Sequence, residues 1–296
     1  MKRFLVFLLV ISVMLLPGCG SSKSEDTRTV LTLDGGGHAL LSDAVRLFNA
    51  SNEDYRVVIS EQDPDIVADR SAYDSAALVD IISYVDADMG RGDILPFLLD
   101  GLMEGEALYS LPISWGTVSL GCSKALLDGR TMLTAEEALE LLEAMDEGAL
   151  LFPSWISCGG APNELAAYLP RYGEEADGYA GESTLLDRVI IYSSAQLAAM
   201  LTEPDALWDT GCPGLGPAAG CISLSILKSC EDVEGAWEFL SFAYGPEARP
   251  ALSASGEYEL PASLSFLEAQ LSEFEGVDGD ALELAREYVG GLSLDA

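Results

Sequence analysis

Thr29 to Ser60 reads TVLTLDGGGHALLSDAVRLFNASNEDYRVVIS, and the fold class follows from it. Thr29 to Leu33 combines β-branched and aliphatic residues, a strand candidate. Asp34-Gly35-Gly36-Gly37-His38 then breaks the pattern as a turn. Leu41, Ala44, Val45 and Phe48 follow at helical spacing, and the helix closes at Asn49 to Asn52. Tyr55 to Ser60 is a second strand, and Ile66-Val67-Ala68, after Pro64-Asp65, a third. Strand, helix and strand in so short a span predict parallel pairing in an α/β layer.

Farther along, Ile113 to Gly121 alternates apolar residues as a strand does. Thr134 with Glu137 makes a capping box ahead of a helix whose inner stripe is Ala138, Leu141, Leu142 and Met145. Val189 to Tyr192 is a short strand leading into an Ala195 to Leu201 helix. Gly211 to Gly220 is rich in glycine and proline and is expected as loop. Cys221 to Leu227 is a strand, and Asp232 opens a helix facing inward through Val233, Ala236, Trp237, Leu240 and Tyr244. Amphipathic helices are expected at Leu264 to Phe274 and Ala281 to Val289.

At the other end, Lys2-Arg3 precedes an apolar run, Phe4 to Leu16, too short to span a bilayer comfortably. Leu16-Pro17-Gly18-Cys19 resembles the lipobox of bacterial lipoproteins, in which the cysteine is diacylated. That resemblance implies a signal peptide over residues 1–18, a lipidated Cys19, and a polar tether through residue 28. The expected location is the outer face of the cytoplasmic membrane, held by the lipid anchor.

The whole chain has 15 Lys plus Arg against 49 Asp plus Glu, a formal charge of −34. Loss of Lys2 and Arg3 with the leader leaves 13 cations and a net −36. So acidic a surface argues against nucleic acid and anionic substrates as partners. Cys122, Cys158, Cys212, Cys221 and Cys230 remain beside Cys19. Their odd number and the lack of a CxxC pair indicate neither a zinc site nor a full disulfide framework. They read as small core residues, with a bridge among Cys212, Cys221 and Cys230 left open.

Four stretches carry a family resemblance. They are the strand, glycine turn and helix ending in Phe48-Asn49 with Asn52 to Val57; Pro64 to Val67 with Leu78-Val79-Asp80 and Tyr84-Val85-Asp86; Gly105 to Pro112; and Gly211-Cys212-Pro213, Ile222 to Ser229 and Glu234 to Leu240. Their order is similar to that of the family 1 extracellular solute-binding proteins of ABC importers, relatives of maltose-binding protein. The resemblance covers most of residues 29 to 245. It departs between the second and third strands, where the family has a helix and this chain has only Glu61-Gln62-Asp63.

The resemblance implies two α/β lobes with a hinge and a ligand cleft between them. Lobe one would hold residues 29–111 plus 213–244, and lobe two residues 112–212 plus 245–296, with crossings near Leu111-Pro112 and Gly211-Pro213. The implied partners are a small-molecule solute, by preference a sugar, and the permease subunits of an ABC importer.

Sugars offer flat faces to aromatic rings and hydroxyls to polar groups. Trp115, Trp155 and the Trp208-Asp209 pair flank the expected crossings, so each tryptophan has two readings, cleft or core. Trp237 lies on a helical stripe and reads as core. Gly36 and His38 sit where amides at a helix N-terminus meet a ligand oxygen, or where a tight turn needs positive φ. Ser193, Ser194 and Gln196 open the helix that in the family approaches ligand, and N-capping accounts for the serines equally well.

Two other functions are set against this one. Leu33 to Gly37 resembles the oxyanion loop of patatin-like lipases, but the sequence has no GxSxG, and its one histidine has no evident serine partner. An enzyme is therefore disfavoured, and no metal or cofactor motif is present. The other is a surface lipoprotein that keeps the fold for protein contacts without carrying solute.

Overall fold

The computed structural model describes residues 26–35, 37–68, 70–130, 135–144, 186–209, 218–252 and 259–294. Cys19, Trp155, Cys158, Cys212, Gly36 and the Gly211-Pro213 crossing lie outside them.

The opening stretch folds as its pattern predicts. β1 (Thr29–Asp34) and β2 (Tyr55–Ile59) pair in parallel, with Leu31 opposite Val57, and α1 (Ala39–Ser51) crosses between them. Helical spacing puts Leu41, Ala44, Val45 and Phe48 on one buried face, together with Leu40. β3 (Ile66–Val67) adds to β1, also in parallel.

Residues 60–65, which include Glu61-Gln62-Asp63, form a tight turn against β1. Ser60 N donates to Leu33 O at 2.9 Å and Asp65 N to Thr32 O at 3.0 Å. Asp63 has φ of 45°, and the Asp65 carboxylate accepts from Thr32 N and Oγ1, both at 2.8 Å. Six residues committed to holding this turn leave none for a helix. The outer face of β1 stays open, with Val30 54% exposed.

After β3 come α2 (Ile82–Asp88), α3 (Pro96–Leu102) and the hairpin of β4 (Met103–Glu104) and β5 (Ala107–Leu108). β6 (Leu111–Ser123) is the spine of the molecule. One edge of β6 pairs antiparallel with β9 (Ala218–Ile226) and then β8 (Leu207–Asp209). The other edge pairs with β10 (Leu260–Pro261) and β7 (Leu186–Ile191). β9 continues to an antiparallel pairing with β3, Ile66 opposite Ile226, and β11 (Ser293–Leu294) pairs parallel with its start. One curled mixed sheet results, in the order β10-β6-β9-β3-β1-β2.

Two expectations need correction here. β6 starts before Ile113 because Leu111 and Pro112 pair with Leu224 and Ser223. Pro112 cannot donate to the ladder, and the register shifts between it and Ser114. Ala218 to Gly220, expected as loop, are strand. Ala218 and Ala219 pair with Val118 and Thr117, and Gly220 lies opposite Gly116.

The remaining helices are α4 (Lys124–Leu127), α5 (Ala135–Ala144), α6 (Ser194–Thr202), α7 (Val233–Tyr244), α8 (Arg249–Leu252), α9 (Leu264–Leu271) and α10 (Gly279–Gly290). Asp232 caps α7 by accepting from Gly235 N at 2.9 Å. α7 returns to the first layer, where Phe48 meets Phe239 and Phe242 edge-on at 5.2 and 5.3 Å. Thr134 and the expected stripe residues Leu142 and Met145 fall outside what is described of α5, whose Ala138 is buried. Cys122 and Cys230 are buried, Cys221 is half-buried, and all three are free thiols. Among the described residues no helix is long and apolar enough to cross a membrane.

Candidate functional site

In open α/β layers, ligands collect beyond the carboxyl ends of the strands. Three such ends can be followed here. β1 runs into the glycine turn, where Gly37 takes φ of 80°, a conformation that favours glycine. His38 N donates to Gly35 O at 3.0 Å, and His38 occupies the cap position of α1 without a side-chain capping bond. The amides of this helix start are not capped by the His38 side chain and suit an oxygen-rich group.

β3 runs into Arg70 and Tyr73. Arg70 Nη1 donates to Glu104 Oε1 at 2.9 Å, and Ser75 Oγ donates to Glu104 Oε2 at 2.6 Å, so the guanidinium is paired. Burial pushes the Cys221 thiol of β9 up to about 11, against the opposing pull of the Arg70 charge. Tyr73 and Tyr109 pack, half-buried, on a small cluster of Val67, Leu78 and Leu227, separate from the main core. On β9, Cys221 and Ser223 are half-buried while Ile222, Leu224, Ser225 and Ile226 are buried, so one face is the less covered one over its first part.

β7 runs into the start of α6. Ser193 accepts from Gln196 N at 3.4 Å, and the Gln196 carboxamide accepts from Tyr192 N and Ser193 N at 2.8 and 3.1 Å. This is a full capping box, so both side chains are turned onto the helix start. Ser194 donates to the Gln270 carboxamide of α9.

The tryptophans sit differently from a stacking platform. Trp115 is fully buried, edge-on to Phe97 at 5.1 Å, with its Nε1 donating to Pro261 O at 3.0 Å. Trp208, 5% exposed, packs on Tyr288 at 6.1 Å with Lys124 Nζ 5.7 Å over its ring. Neither offers a free face in this structure, so both take the core reading. Asp209 closes β8 opposite Gly121. Trp237 is core as expected, and its Nε1 donates to Asp88 at 2.6 Å.

Arg70, Tyr73, Tyr109 and Gln270 escape a reading that searches for tryptophans and glycine turns. The signal that finds the first two is position, just past the carboxyl end of β3. Among the described residues no cluster of three or more metal-ligating side chains occurs.

Solved structures share this architecture. A sugar transporter of Rhizobium etli in an open conformation matches with a TM-score of 0.54 at 16% identity, over 90% of this chain and 88% of that one. An extracellular solute-binding protein of family 1 from Alicyclobacillus acidocaldarius matches with a TM-score of 0.58 at 14% identity, over 90% and 87%. The fold is the two-lobed, periplasmic-binding-protein-like one. An ABC substrate-binding protein of Listeria monocytogenes in complex with cycloalternan matches with a TM-score of 0.52 at 14% identity, over 91% and 88%. No family model matches the chain, and no curated protein matches it.

Proposed function

We propose that this protein is the solute-binding component of an ABC importer, tethered through a lipidated Cys19 and carrying a neutral, hydroxyl-rich solute, by preference an oligosaccharide. The lobes are taken as residues 29–111 plus 213–244 and residues 112–212 plus 245–296, with solute held between them. One observation carries the reading. Across about 90% of its length the chain shares a two-lobed fold with proteins described as a sugar transporter and as a complex with cycloalternan. Polar and aromatic groups at three strand ends support it, and so does the charge. A net −36 repels anions, and Arg70 is already engaged by Glu104.

The proposed contacts are the turn at Gly36 and His38, Tyr73 and Tyr109 for stacking, and the α6 start at Ser193 and Gln196. Trp155 and Asp209 are added from the other lobe, and Trp115 and Trp208 support the site from the core behind it. Lobes closing on a hinge would enclose the solute and present the closed shape to permease subunits. A thermal-shift screen of neutral glycans and polyols, followed by calorimetry, tests this. Stabilisation by at least one neutral saccharide is expected, and stabilisation only by anions would overturn it. The open outer face of β1 and β2, with Val30 exposed, favours a second reading, a surface lipoprotein of the same fold used for protein contacts.

A further inference from the structure

We propose that the cavity at the start of α6 is a pocket for one end of an uncharged hydroxyl-bearing ligand, read by the Gln270 carboxamide. The proposal deepens the solute-binding reading and rests on it. The cavity measures about 200 Å³ and is lined by Ser193, Ser194, Glu259, Gln270, Glu273 and Phe274. Sites that enclose a whole small ligand run to roughly 300–1,000 Å³, so this one takes a single ring or chain end.

Gln270 is the informative member. It is only 6% exposed, on a helix packed against α6, where polar groups are ordinarily all bonded. Ser194 holds its Oε1, and no hydrogen bond of Nε2 occurs among the described residues. Among the described residues the one side-chain polar atom sealed in protein without a partner is Ser114 Oγ, so Nε2 of Gln270 looks onto open volume, and the cavity that Gln270 lines supplies it. The free end of the carboxamide therefore has its partner still to come. A hydroxyl, both donor and acceptor, satisfies either end of an amide.

The rest of the lining selects against charge. Glu259 and Glu273 disfavour an anion, and among the described residues no Lys, Arg or His lines the cavity. An ammonium would suit those carboxylates and leave the amide donors facing another donor. Hydroxyls can donate to the carboxylates and accept from Gln270. Phe274, 36% exposed, offers the flat face on which a sugar ring lies.

The test uses the full chain in detergent with maltotriose, cellotriose and sorbitol as neutral probes, glucose 6-phosphate as anion and glucosamine as cation. Calorimetry is run on the parent, on Gln270→Met and on Phe274→Ala. At least one neutral probe is expected to bind the parent, and each substitution to weaken it about tenfold. The Gln270 side-chain amide signals of ¹⁵N-labelled parent should shift with that probe and stay put with the anion. This measurement and Phe274→Ala, at an exposed ring, keep the test decisive even where Gln270→Met fails to fold. Neutral binding unchanged by Phe274→Ala, with the amide signals unmoved, overturns the pocket and leaves solute binding standing. Tighter binding of glucosamine, lost with the same substitutions, overturns the ligand class. Failure of every neutral probe to bind the parent overturns both readings.

Discussion

At Asp93, donors from two later parts of the chain converge on one carboxylate. Tyr244 OH and Ser263 Oγ donate to Oδ2 at 2.9 and 2.7 Å, and Ser265 N donates to Oδ1 at 3.1 Å. Burial pushes this carboxyl up, but the donors outweigh it and hold it below the usual carboxylate range. Its contribution to stability is therefore complete above the ordinary carboxyl value of 3.8 and is lost as the pH falls through the lower folded value. Asp93→Asn should cost about 2 kcal/mol at neutral pH, the scale of hydrogen bonds to a charged group. Urea melts of parent and variant should converge as the pH is lowered below 4. A gap that stays constant with pH would contradict this account. Gly121 is constrained in another way. A Cβ there would lie 2.2 Å from Val189 Cγ2 and 2.8 Å from the Trp208 carbonyl, because β7 and β8 both close on β6 at this point. Gly121→Ala should lower stability by about 3 kcal/mol, the upper end of overpacking, read as a lower urea midpoint at unchanged slope.

Among the elements, β2 is the edge of the sheet, and an edge with unpaired amides invites pairing with another chain. The Asn49 carboxamide, from the last turn of α1, prevents this. Its Nδ2 donates to Val57 O and its Oδ1 accepts from Val57 N, both at 2.8 Å, so a side chain fills the place of a neighbouring strand. Asn49→Ala should cost about 2 kcal/mol by stranding two backbone groups, and should raise the tendency to self-associate. Ultracentrifugation at rising concentration measures the second effect; a variant as stable and as monodisperse as the parent would contradict it. The turn of residues 60–65 carries the chain from β2 across to β3, and its bonds to Thr32 and Leu33 hold it flat against β1.

For the molecule as a whole, β6 and β9 decide the form, because they carry one sheet from the parallel first layer into the antiparallel remainder. Removing the proposed lipid anchor should change location without changing fold. Cys19→Ala is expected to release the protein into the medium or to leave unprocessed precursor, as fractionation and blotting would show. Mature protein still in the membrane fraction would end the lipoprotein proposal. A protein of net −34 should also gain stability from salt, which screens its self-repulsion, so the melting temperature should rise between 10 and 300 mM NaCl.

The α/β layer was legible because local pattern and tertiary role agree there. Leu41, Ala44, Val45 and Phe48 must share a face once the helix forms, and a helical crossover returns the chain to lay β2 parallel to β1. The caps at Asp232 and Ser193 were legible for the same reason, since a cap is made within four residues. Sequence composition likewise set the charge that turns anions away. Whether a tryptophan stacks on ligand or fills the core was not legible. Trp115 and Trp208 owe their burial to Phe97, Pro261 and Tyr288, partners between 18 and 146 residues away, and no local pattern encodes such meetings. The start of β9 was missed because glycine and alanine signal a loop until Gly116 and Gly220 come opposite each other. Gln270, unremarkable on a helical stripe, became a candidate only when α6 and α9 packed and left one end of its amide facing open volume. Period and cap are properties of neighbours along the chain, whereas burial and satisfaction are properties of neighbours in space, and only the folded chain supplies those.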